Sequence, residues 1–377
     1  MKVLYVFRSL ANWGGIERVL VDKMNGLVRL YGIDVYMITT DQGIHPIPYD
    51  IDNKVKIEDL NINFHHRYRY GFLRRQWVFY RMKHKYMKLL RERILSICPE
   101  VIICVSTDII SPIIKVKGTI PLIIESHSIC NRTIIFGCCR LLRMINRTSY
   151  LRLISKADVI VALTERDAKE WRKYHSRVEA IPNILHFSDT NKSPLTSKHV
   201  LFVGRFDYQK CAQDAINIWD TVVEKYPDWV LDIYGEGEME DEIIKLASSV
   251  HNVILHKPTK NIFDVYVNSS VLISTSLFEP FGLVMIEAMS CGLPVVAYDC
   301  QYGPVEIIND GVDGFLIKDR DKDSFVEKVC CLMSSFTLRK EMGISGIESS
   351  KRYNQDEILQ RWISLFEAVS SQKYYKN

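Results

Sequence analysis

The chain has 377 residues, of which 47% are hydrophobic and 25% are charged, and its formal net charge is +4 at pH 7. This is the composition of a globular protein, and the length suits two domains of ordinary size. No run of residues approaches the roughly 18 apolar residues of a membrane-spanning helix. The first residues predict a strand and a loop rather than a signal peptide. We therefore expect a cytoplasmic protein.

The distribution of charge and the spacing of the cysteines indicate which partners and bonds are expected. Residues 1–180 carry a net charge of +13 and residues 181–377 a net charge of −9, which suggests that the N-terminal half meets something anionic. The ten cysteines lack the C-x-x-C spacing that is typical of zinc sites. We expect neither disulfides nor zinc.

Strands and helices alternate in the first half. A predicted strand at residues 2–7 leads through Gly14 and Gly15 into a helix at residues 16–30. The two glycines and the helix N-terminus could hold a phosphate, although such a turn is equally often only a tight turn. Further strands are predicted at residues 33–39, 101–105, 121–125, 158–163 and 178–182, with a helix at 76–97 and a loop-like section at 41–75. His127 follows one strand end, where a lone histidine is more often structural.

The second half begins after a polar stretch at residues 183–198, which we interpret as a domain linker. A strand at residues 199–204 is followed by Arg205 and Lys210. These two cations could neutralise a pyrophosphate, although such a pair alone is usually a solvated loop. More strands are predicted at residues 229–234 and 252–256, and helical periodicity continues from residue 322 nearly to the end.

Residues 278–299 hold two glutamates, Glu279 and Glu287, eight positions apart. Strands at 271–275 and 293–297 flank a helix at 283–289, so Glu279 is expected on a loop at the carboxyl end of a strand, where such folds bind ligands. The alternative is that Glu279 caps the helix and Glu287 is solvated. Glu287, however, lies among apolar residues, where a carboxylate needs a hydroxyl or cationic partner.

This segment resembles the Glu-x7-Glu signature of retaining GT-B glycosyltransferases of family 4, of the bacterial surface-glycan type. Pro280, Phe281 and Gly282 follow the first glutamate as in that family. The Arg205 and Lys210 pattern also matches, with Cys211 in place of a glycine, and the Ile-Pro-Asn at residues 181–183 matches with Ile184 in place of another. The resemblance is strong over residues 199–318 and thin before them.

The resemblance implies an α/β fold with two doubly wound Rossmann-like domains that face a central cleft. The expected parts are an acceptor-binding domain at residues 1–182, the linker at 183–198, and a nucleotide-sugar-binding domain at 199–352. A C-terminal helix at 353–377 is expected to return to the first domain.

The implied activity is retaining, metal-independent transfer of a hexose or N-acetylhexosamine from a nucleoside-diphosphate sugar, most similar to UDP-sugar users, without a cofactor. The acceptor would be a glycan or a lipid-linked molecule of surface polysaccharide assembly. The residues that the resemblance assigns to catalysis are His127, Arg205, Lys210 and Glu279. Those that it assigns to donor binding are Gly14, Gly15, Arg205, Lys210, Glu279, Phe281, Gly282, Leu283 and Glu287.

Three other functions remain open at this stage. A nucleotide-sugar epimerase of the same fold would release an altered sugar without an acceptor. A glycogen-synthase-like enzyme shares the two glutamates but is usually longer. A degenerate transferase would only bind its ligand.

Residues 65–93 contain ten Lys and Arg against the single acid Glu92, interleaved with aromatic residues. Such a basic, amphipathic segment is typical of binding to an anionic membrane surface. We expect peripheral attachment to the inner face of the cytoplasmic membrane through Arg74, Arg75, Arg81 and Lys85. A solvated helix face is the alternative, and a glycosyltransferase core gives nucleic acid no role.

Overall fold

The computed structural model describes residues 1–105, 109–134, 140–186 and 191–371 of the chain. Its backbone forms two compact units. Unit 1 comprises Met1–Ile184 and Gln355–Asn377, and unit 2 comprises Leu185–Asn354. Among the described helices, none is both long enough and apolar enough to cross a membrane.

Unit 1 is built on a seven-stranded sheet in which every pair of neighbouring strands is parallel. The strands are β1 (Lys2–Phe7), β2 (Asp34–Thr39), β3 (Lys56–Asp59), β4 (Val101–Cys104), β5 (Leu122–Glu125), β6 (Val159–Ala162) and β7 (Val178–Ala180). The helices that accompany them are α1 (Gly15–Tyr31), α2 (Phe72–Ile97), α3 (Ile110–Val116), α4 (Cys130–Ile134), α5 (Arg140–Ile154) and α6 (Glu165–Trp171), with a 3-10 helix at Phe64–Arg69.

Unit 2 contains a six-stranded parallel sheet of β8 (His199–Val203), β9 (Val230–Tyr234), β10 (Val253–His256), β11 (Val271–Ser274), β13 (Val295–Asp299) and β15 (Gly314–Lys318). A separate pair is formed by β12 (Phe278–Glu279) and β14 (Gln301–Tyr302). The helices are α7 (Ala212–Lys225), α8 (Glu240–Ala247), α9 (Ile262–Val267), α10 (Leu283–Ser290), α11 (Pro304–Ile307), α12 (Lys322–Ser334) and α13 (Phe336–Ser350), and α14 (Gln355–Ser371) belongs to unit 1.

The order of the strands determines where the loops with the predicted site residues lie. Unit 1 runs β3-β2-β1-β4-β5-β6-β7 and unit 2 runs β10-β9-β8-β11-β13-β15. In each sheet the order reverses beside the first strand, between β1 and β4 and between β8 and β11. Ligands of doubly wound sheets bind outside the carboxyl ends of the strands at such a reversal. The two Rossmann-like α/β units that the sequence predicts are confirmed.

The central strands of both sheets are buried on two faces, which explains why these strands are almost wholly apolar. In unit 1 one face carries a cluster that includes Tyr5 and, from α14, Trp362 and Phe366. The other face carries a cluster with Tyr86 of α2 and Trp171 of α6. The last helix therefore completes one of the two cores of unit 1.

Two regions differ from the elements predicted by periodicity. The section at residues 41–75 contains β3 and the 3-10 helix, and α2 begins at Phe72 rather than at residue 76. The sequence of β3 is Lys-Ile-Glu-Asp, which lacks an apolar run because β3 lies at the edge of the sheet. The helical stretch from residue 322 is divided at Ser335, which caps α13, and again before Gln355.

The described residues of the polar stretch at 183–198 are attached mainly to unit 2. Lys192 Nζ donates to the Ser290 carbonyl oxygen over 2.8 Å, and Ser193 Oγ donates to the Ser269 carbonyl oxygen over 2.6 Å. Leu195 is buried. These contacts give this part of the stretch a fixed course along unit 2.

Candidate functional site

The loop after β8 is folded around Asp207, a residue that the sequence did not single out. One carboxylate oxygen of Asp207 lies 2.9 Å from Arg205 Nη2, and the other accepts a 2.9 Å hydrogen bond from the Lys210 backbone N–H. The Arg205 side chain is 71% exposed, so it can reach a ligand at modest desolvation cost. Asp207 thus sets the positions of both predicted cations.

Lys210 and Glu279 meet in a short ion pair at the reversal of strand order in unit 2. Lys210 Nζ lies 2.5 Å from Glu279 Oε2, and Ser276 Oγ donates to the same oxygen over 3.2 Å. Both charged side chains are largely buried. The structure therefore joins Lys210 to Glu279, while Arg205 pairs with Asp207. The alternative that Glu279 caps α10 is wrong, because the N-cap position is Gly282 and no side chain caps the helix.

Gly282 and Gly303 fix the path of the chain between Glu279 and α10. Gly282 has φ +114°, a conformation that residues with a Cβ rarely adopt. Gly303 donates its N–H to the Glu279 carbonyl oxygen over 2.8 Å, and a Cβ on Gly303 would overlap the Phe281 carbonyl oxygen. The segment thus lies directly against the backbone that follows β14. The sequence contained the glycine but gave no indication of this contact.

Glu287 is buried in the middle of α10, with 3% of its surface exposed. Tyr266 of α9 is fully buried and donates from Oη to Glu287 Oε2 over 2.9 Å. The prediction that Glu287 has a hydroxyl or cationic partner is confirmed, the partner being a hydroxyl, and the solvated alternative is wrong. The sequence did not identify Tyr266, because it lies 21 positions from Glu287 and only the folded chain brings the two side chains together.

Two other features support the loop after β8. Gly235 and Gly237 lie directly against the backbone at Gly204 and Phe206, so a Cβ at either position would overlap that backbone. Cys211, which stands where the resembled family has glycine, keeps the left-handed conformation with φ +51°. A side chain in this region costs about 1 kcal/mol, so the loop retains the conformation that glycine would favour.

In unit 1, Gly14 and Gly15 lie at the start of α1. The Gly14 carbonyl oxygen accepts hydrogen bonds from the Arg18 N–H at 3.1 Å and from Tyr49 Oη at 2.9 Å. The largely buried Glu17 carboxylate occupies the space beside Gly14. This negative charge opposes an anion at Gly14 and weakens the argument for a phosphate cradle there.

His127 belongs to a buried cluster of ionisable groups at the carboxyl end of β5. Lys23 Nζ of α1 lies 2.5 Å from both carboxylate oxygens of Glu125, and His127 Nε2 lies 3.1 Å from Glu125 Oε1. Burial alone would raise the pKa of Glu125, but Lys23 and His127 outweigh it and hold the pKa at about 2. Lys23 also lies 4.0 Å from the centre of a Trp362 ring. The Glu125 carboxylate thus lies beside one ring nitrogen of His127.

In the other major glycosyltransferase fold, Asp-x-Asp motifs bind a divalent ion. The sequence of this chain contains such spacings, and the expectation of metal independence did not take them into account. They are Asp50 to Asp52 and the overlapping pairs Asp319 to Asp321 and Asp321 to Asp323. Asp52 accepts a 2.7 Å hydrogen bond from Arg29, and Asp321 caps α12 by accepting from the Ser324 N–H. Each of the three motifs therefore contains a carboxylate that is engaged in structural contacts.

The four basic residues assigned to membrane binding all lie on α2. Arg74 and Arg81 pack over the rings of Tyr70 and Trp77, at 4.6 and 4.8 Å from the ring centres. Large apolar side chains stay exposed on the same part of the helix, at Phe72, Leu73, Trp77 and Tyr80. We call Arg74, Arg75, Arg81 and Lys85 with these four apolar residues the α2 face.

Comparison with known families matches both halves of the chain. Residues 13–187 match the model described as Glycosyltransferase Family 4, and residues 186–349 match the model described as Glycosyl transferases group 1. The amylovoran biosynthesis glycosyltransferase AmsD of Erwinia amylovora is 27% identical over 96% of this chain and 98% of its own length.

Two further proteins are similar over nearly the whole chain. One is a Campylobacter jejuni α-1,4-N-acetyl-D-galactosaminyltransferase named for a diphospho-undecaprenol-linked GalNAc acceptor, 24% identical over 98% of this chain and 99% of its own. The other is a solved structure of a TarM variant of S. aureus in complex with fondaparinux, α-GlcNAc-glycerol and UDP. It has a TM-score of 0.77 at 17% identity and covers 97% of this chain and 99% of that one, which shows the shared fold.

Proposed function

This chain belongs to the glycosyltransferases of the GT-B fold, and we propose that it is a retaining enzyme of surface-glycan assembly that uses a UDP-sugar. The sugar moved is a hexose or an N-acetylhexosamine, and the acceptor is a glycan or a lipid-linked molecule. The names of the relatives support this proposal, since they refer to amylovoran biosynthesis and to a diphospho-undecaprenol acceptor. UDP is a ligand of the TarM structure.

The observation that carries the proposal is the ion pair of Lys210 with Glu279, beside the glycine-dependent turn into α10. In the reaction the bond between sugar C1 and the diphosphate oxygen breaks, and negative charge grows on the departing diphosphate. Arg205 and Lys210, with backbone N–H groups at Phe281 to Leu283, stabilise that charge. The ion pair with Lys210 also positions Glu279 to accept hydrogen bonds from hydroxyls of the donor sugar.

Transfer also requires a new bond between the sugar and the acceptor. The acceptor oxygen forms its bond to C1 on the face that the diphosphate leaves, and its proton passes to a phosphate oxygen of the leaving group. Glu287, held by Tyr266, binds the ribose hydroxyls. His127 contacts the donor sugar. Gly14 and Gly15 have no part in diphosphate binding in this proposal, because the Glu17 carboxylate lies beside Gly14. No divalent ion and no cofactor take part.

A panel of donors tests this proposal. Hydrolysis of UDP-glucose, UDP-galactose, UDP-GlcNAc and UDP-GalNAc is compared with that of GDP-mannose and ADP-glucose. We expect turnover of at least one UDP-sugar, a large loss of turnover in Glu279→Gln, and mainly a loss of donor affinity in Glu287→Gln, because the ribose contact exists in ground and transition states alike. Wild-type affinity and turnover in both variants would contradict the assignment.

We propose further that the protein attaches peripherally to the inner face of the cytoplasmic membrane through the α2 face. Basic side chains with exposed aromatic neighbours suit an anionic bilayer, where each charge contributes roughly 1 kcal/mol. Phe72 and Leu73 are 67% and 83% exposed, which is a costly arrangement for residues that meet only water.

Liposome co-sedimentation tests the attachment. The variant carries Glu at Arg74, Arg75, Arg81 and Lys85, and a matched control carries Glu at four exposed lysines of unit 2: Lys198, Lys225, Lys257 and Lys351. We expect the wild type and the control to sediment with anionic vesicles at low salt and the α2 variant to stay in solution. Equal sedimentation of all three proteins, or of none, would refute the proposal.

A further inference from the structure

A cavity of about 380 Å³ lies in unit 1 and has no role in the proposed chemistry at the donor. Its polar lining comes from Arg8, His65, Arg67 and Lys83, and aromatic rings of Phe64 and Phe79 form part of its wall. We call it the Arg67–Lys83 pocket. Its volume is within the range of about 300 to 1,000 Å³ that is typical of sites for small molecules.

The pocket lies at the ligand-binding edge of the sheet in unit 1. Arg8 directly follows β1, and Asp41 follows β2 by two positions, so both mark the carboxyl ends of parallel strands. Arg67 comes from the 3-10 helix and Lys83 from α2. A site at this edge is where doubly wound sheets hold their ligands.

The charges of the pocket are only partly compensated. Arg8 Nε lies 3.7 Å and His65 Nδ1 lies 3.4 Å from the Asp41 carboxylate. In the part of the chain that the structure describes, neither Arg67 nor Lys83 forms an ion pair with a carboxylate. Among the described residues, the Asp41 carboxylate thus pairs with Arg8 and His65, whereas no carboxylate pairs with Arg67 or Lys83.

The two uncompensated cations are held in place by neutral groups. Arg67 donates to Tyr68 Oη over 2.9 Å and packs 4.3 Å from the centre of the Phe79 ring, while Lys83 Nζ donates to Ser111 Oγ over 3.2 Å. Partial burial, and then the nearby Lys115, lower the pKa of Lys83. A bound anion would offset both effects, and a guanidinium fixed on an aromatic ring loses little freedom when it binds a phosphate.

We propose that the Arg67–Lys83 pocket binds the diphosphate group of a lipid-borne acceptor. The lipid is indicated by continuity with the α2 face, because Tyr68 and Phe79 of the pocket lie in the same segment as the exposed Phe72 and Trp77. A diphosphate held there leaves its hydrocarbon chain on the exposed aromatic surface. The inference deepens the proposed function, on which it rests, by naming the class of the acceptor.

Calorimetric titration of the purified full chain tests the pocket with three probes. Farnesyl diphosphate below its micelle concentration carries both parts of the ligand, inorganic pyrophosphate only the anion, and farnesol only the hydrocarbon. Each titration is done with and without saturating UDP, because the donor site has its own affinity for diphosphates. We expect farnesyl diphosphate to bind one to one in the presence of UDP, pyrophosphate to bind more weakly, and farnesol not to bind.

Variants connect that binding to the pocket. Lys83→Met and Arg67→Gln should each weaken the binding of farnesyl diphosphate by about ten- to a hundred-fold, the loss expected for one charge-assisted hydrogen bond. Lys83→Arg should retain most of the affinity, since it keeps the charge. Lys88→Met, at an exposed lysine of the same helix outside the pocket, should bind as the wild type does.

Several results would overturn the inference. They are complete displacement of farnesyl diphosphate by UDP, wild-type affinity in both Lys83→Met and Arg67→Gln, or equal affinity for pyrophosphate, which would indicate a soluble anion instead of a lipid. Hydrolysis of UDP-sugars by the wild type is measured in parallel. Because binding of farnesyl diphosphate requires no turnover, failure of the proposed transfer and failure of the pocket are distinguished.

Discussion

The contact between Gly303 and the segment that bears Glu279 allows a prediction from geometry alone. Gly303 has φ −62° and ψ −53°, which alanine adopts without strain, so Gly303→Ala tests only the added methyl group. An ideal Cβ there would lie 1.6 Å from the Phe281 carbonyl oxygen, whereas ordinary contacts begin at 3.4 Å. The two backbones must therefore separate by about 1.8 Å.

That displacement acts directly on the proposed catalytic glutamate. The Gly303 N–H holds the Glu279 carbonyl oxygen at 2.8 Å, so separation breaks this bond or carries Glu279 away from Lys210. A misplacement of about 1 Å can cost about a hundred-fold in rate, and overpacking costs about 1 to 3 kcal/mol of stability. We expect Gly303→Ala to lose at least about a hundred-fold in kcat.

The assay is hydrolysis of the preferred UDP-sugar, with thermal unfolding measured on the same samples. The matched control is Gly346→Ala in α13, where a Cβ would lie 3.5 Å from the Met289 Cβ, an ordinary contact. This control should keep full turnover and gain up to about 1 kcal/mol, since alanine favours a helix. If Gly303→Ala turned over donor and unfolded as the wild type does, Gly303 would have no part in positioning Glu279.

Four other predictions concern the charged groups and the metal-free mechanism. Tyr266→Phe should weaken UDP binding about tenfold, because Glu287 loses its hydroxyl donor, and unchanged affinity in a UDP titration would contradict this. Arg205→Ala should raise the barrier to turnover by about 2 to 4 kcal/mol, with partial rescue in Arg205→Lys. EDTA should leave wild-type turnover unchanged, and a loss reversed by Mg²⁺ would refute the metal-free mechanism. Glu125→Gln should destabilise the protein by about 3 to 5 kcal/mol at neutral pH, because Lys23 stays buried without its partner. Since folding lowers the pKa of Glu125 to about 2, the stabilisation exists above the ordinary pKa of 4.5 and is lost as pH falls toward 2, so urea unfolding of the two proteins should converge in acid.

On the donor side, the structure confirms the helix around Glu287 and a partner for its carboxylate, both of which local sequence determines. The apolar run around Glu287 predicted α10 and a partner for the carboxylate, because a charge on a buried helix must be compensated. The identity of the partner did not follow, since Tyr266 is brought to Glu287 only by the packing of α9. The pairing of Lys210 with Glu279 spans 69 positions and depends on the strand order of the sheet.

In unit 1 the sequence was less informative about charge. Lys23 lies among apolar residues of α1, and a lysine at such a position commonly extends its ammonium group to solvent. Instead it is 1% exposed and pairs with Glu125. A pattern that contains one lysine and one glutamate 102 positions apart cannot distinguish these outcomes, because the contact is made by the tertiary fold.

The return of α14 to unit 1 has a consequence for synthesis on the ribosome. Unit 2 is continuous in sequence and is complete once Asn354 has emerged, whereas the core of unit 1 still lacks Trp362 and Phe366. Domains generally fold as units during synthesis, so the later part of the chain can reach its final structure before the earlier part does. Until then the surface that α14 covers, including Lys23 and Gly26 of α1, stays open to water and to chaperones.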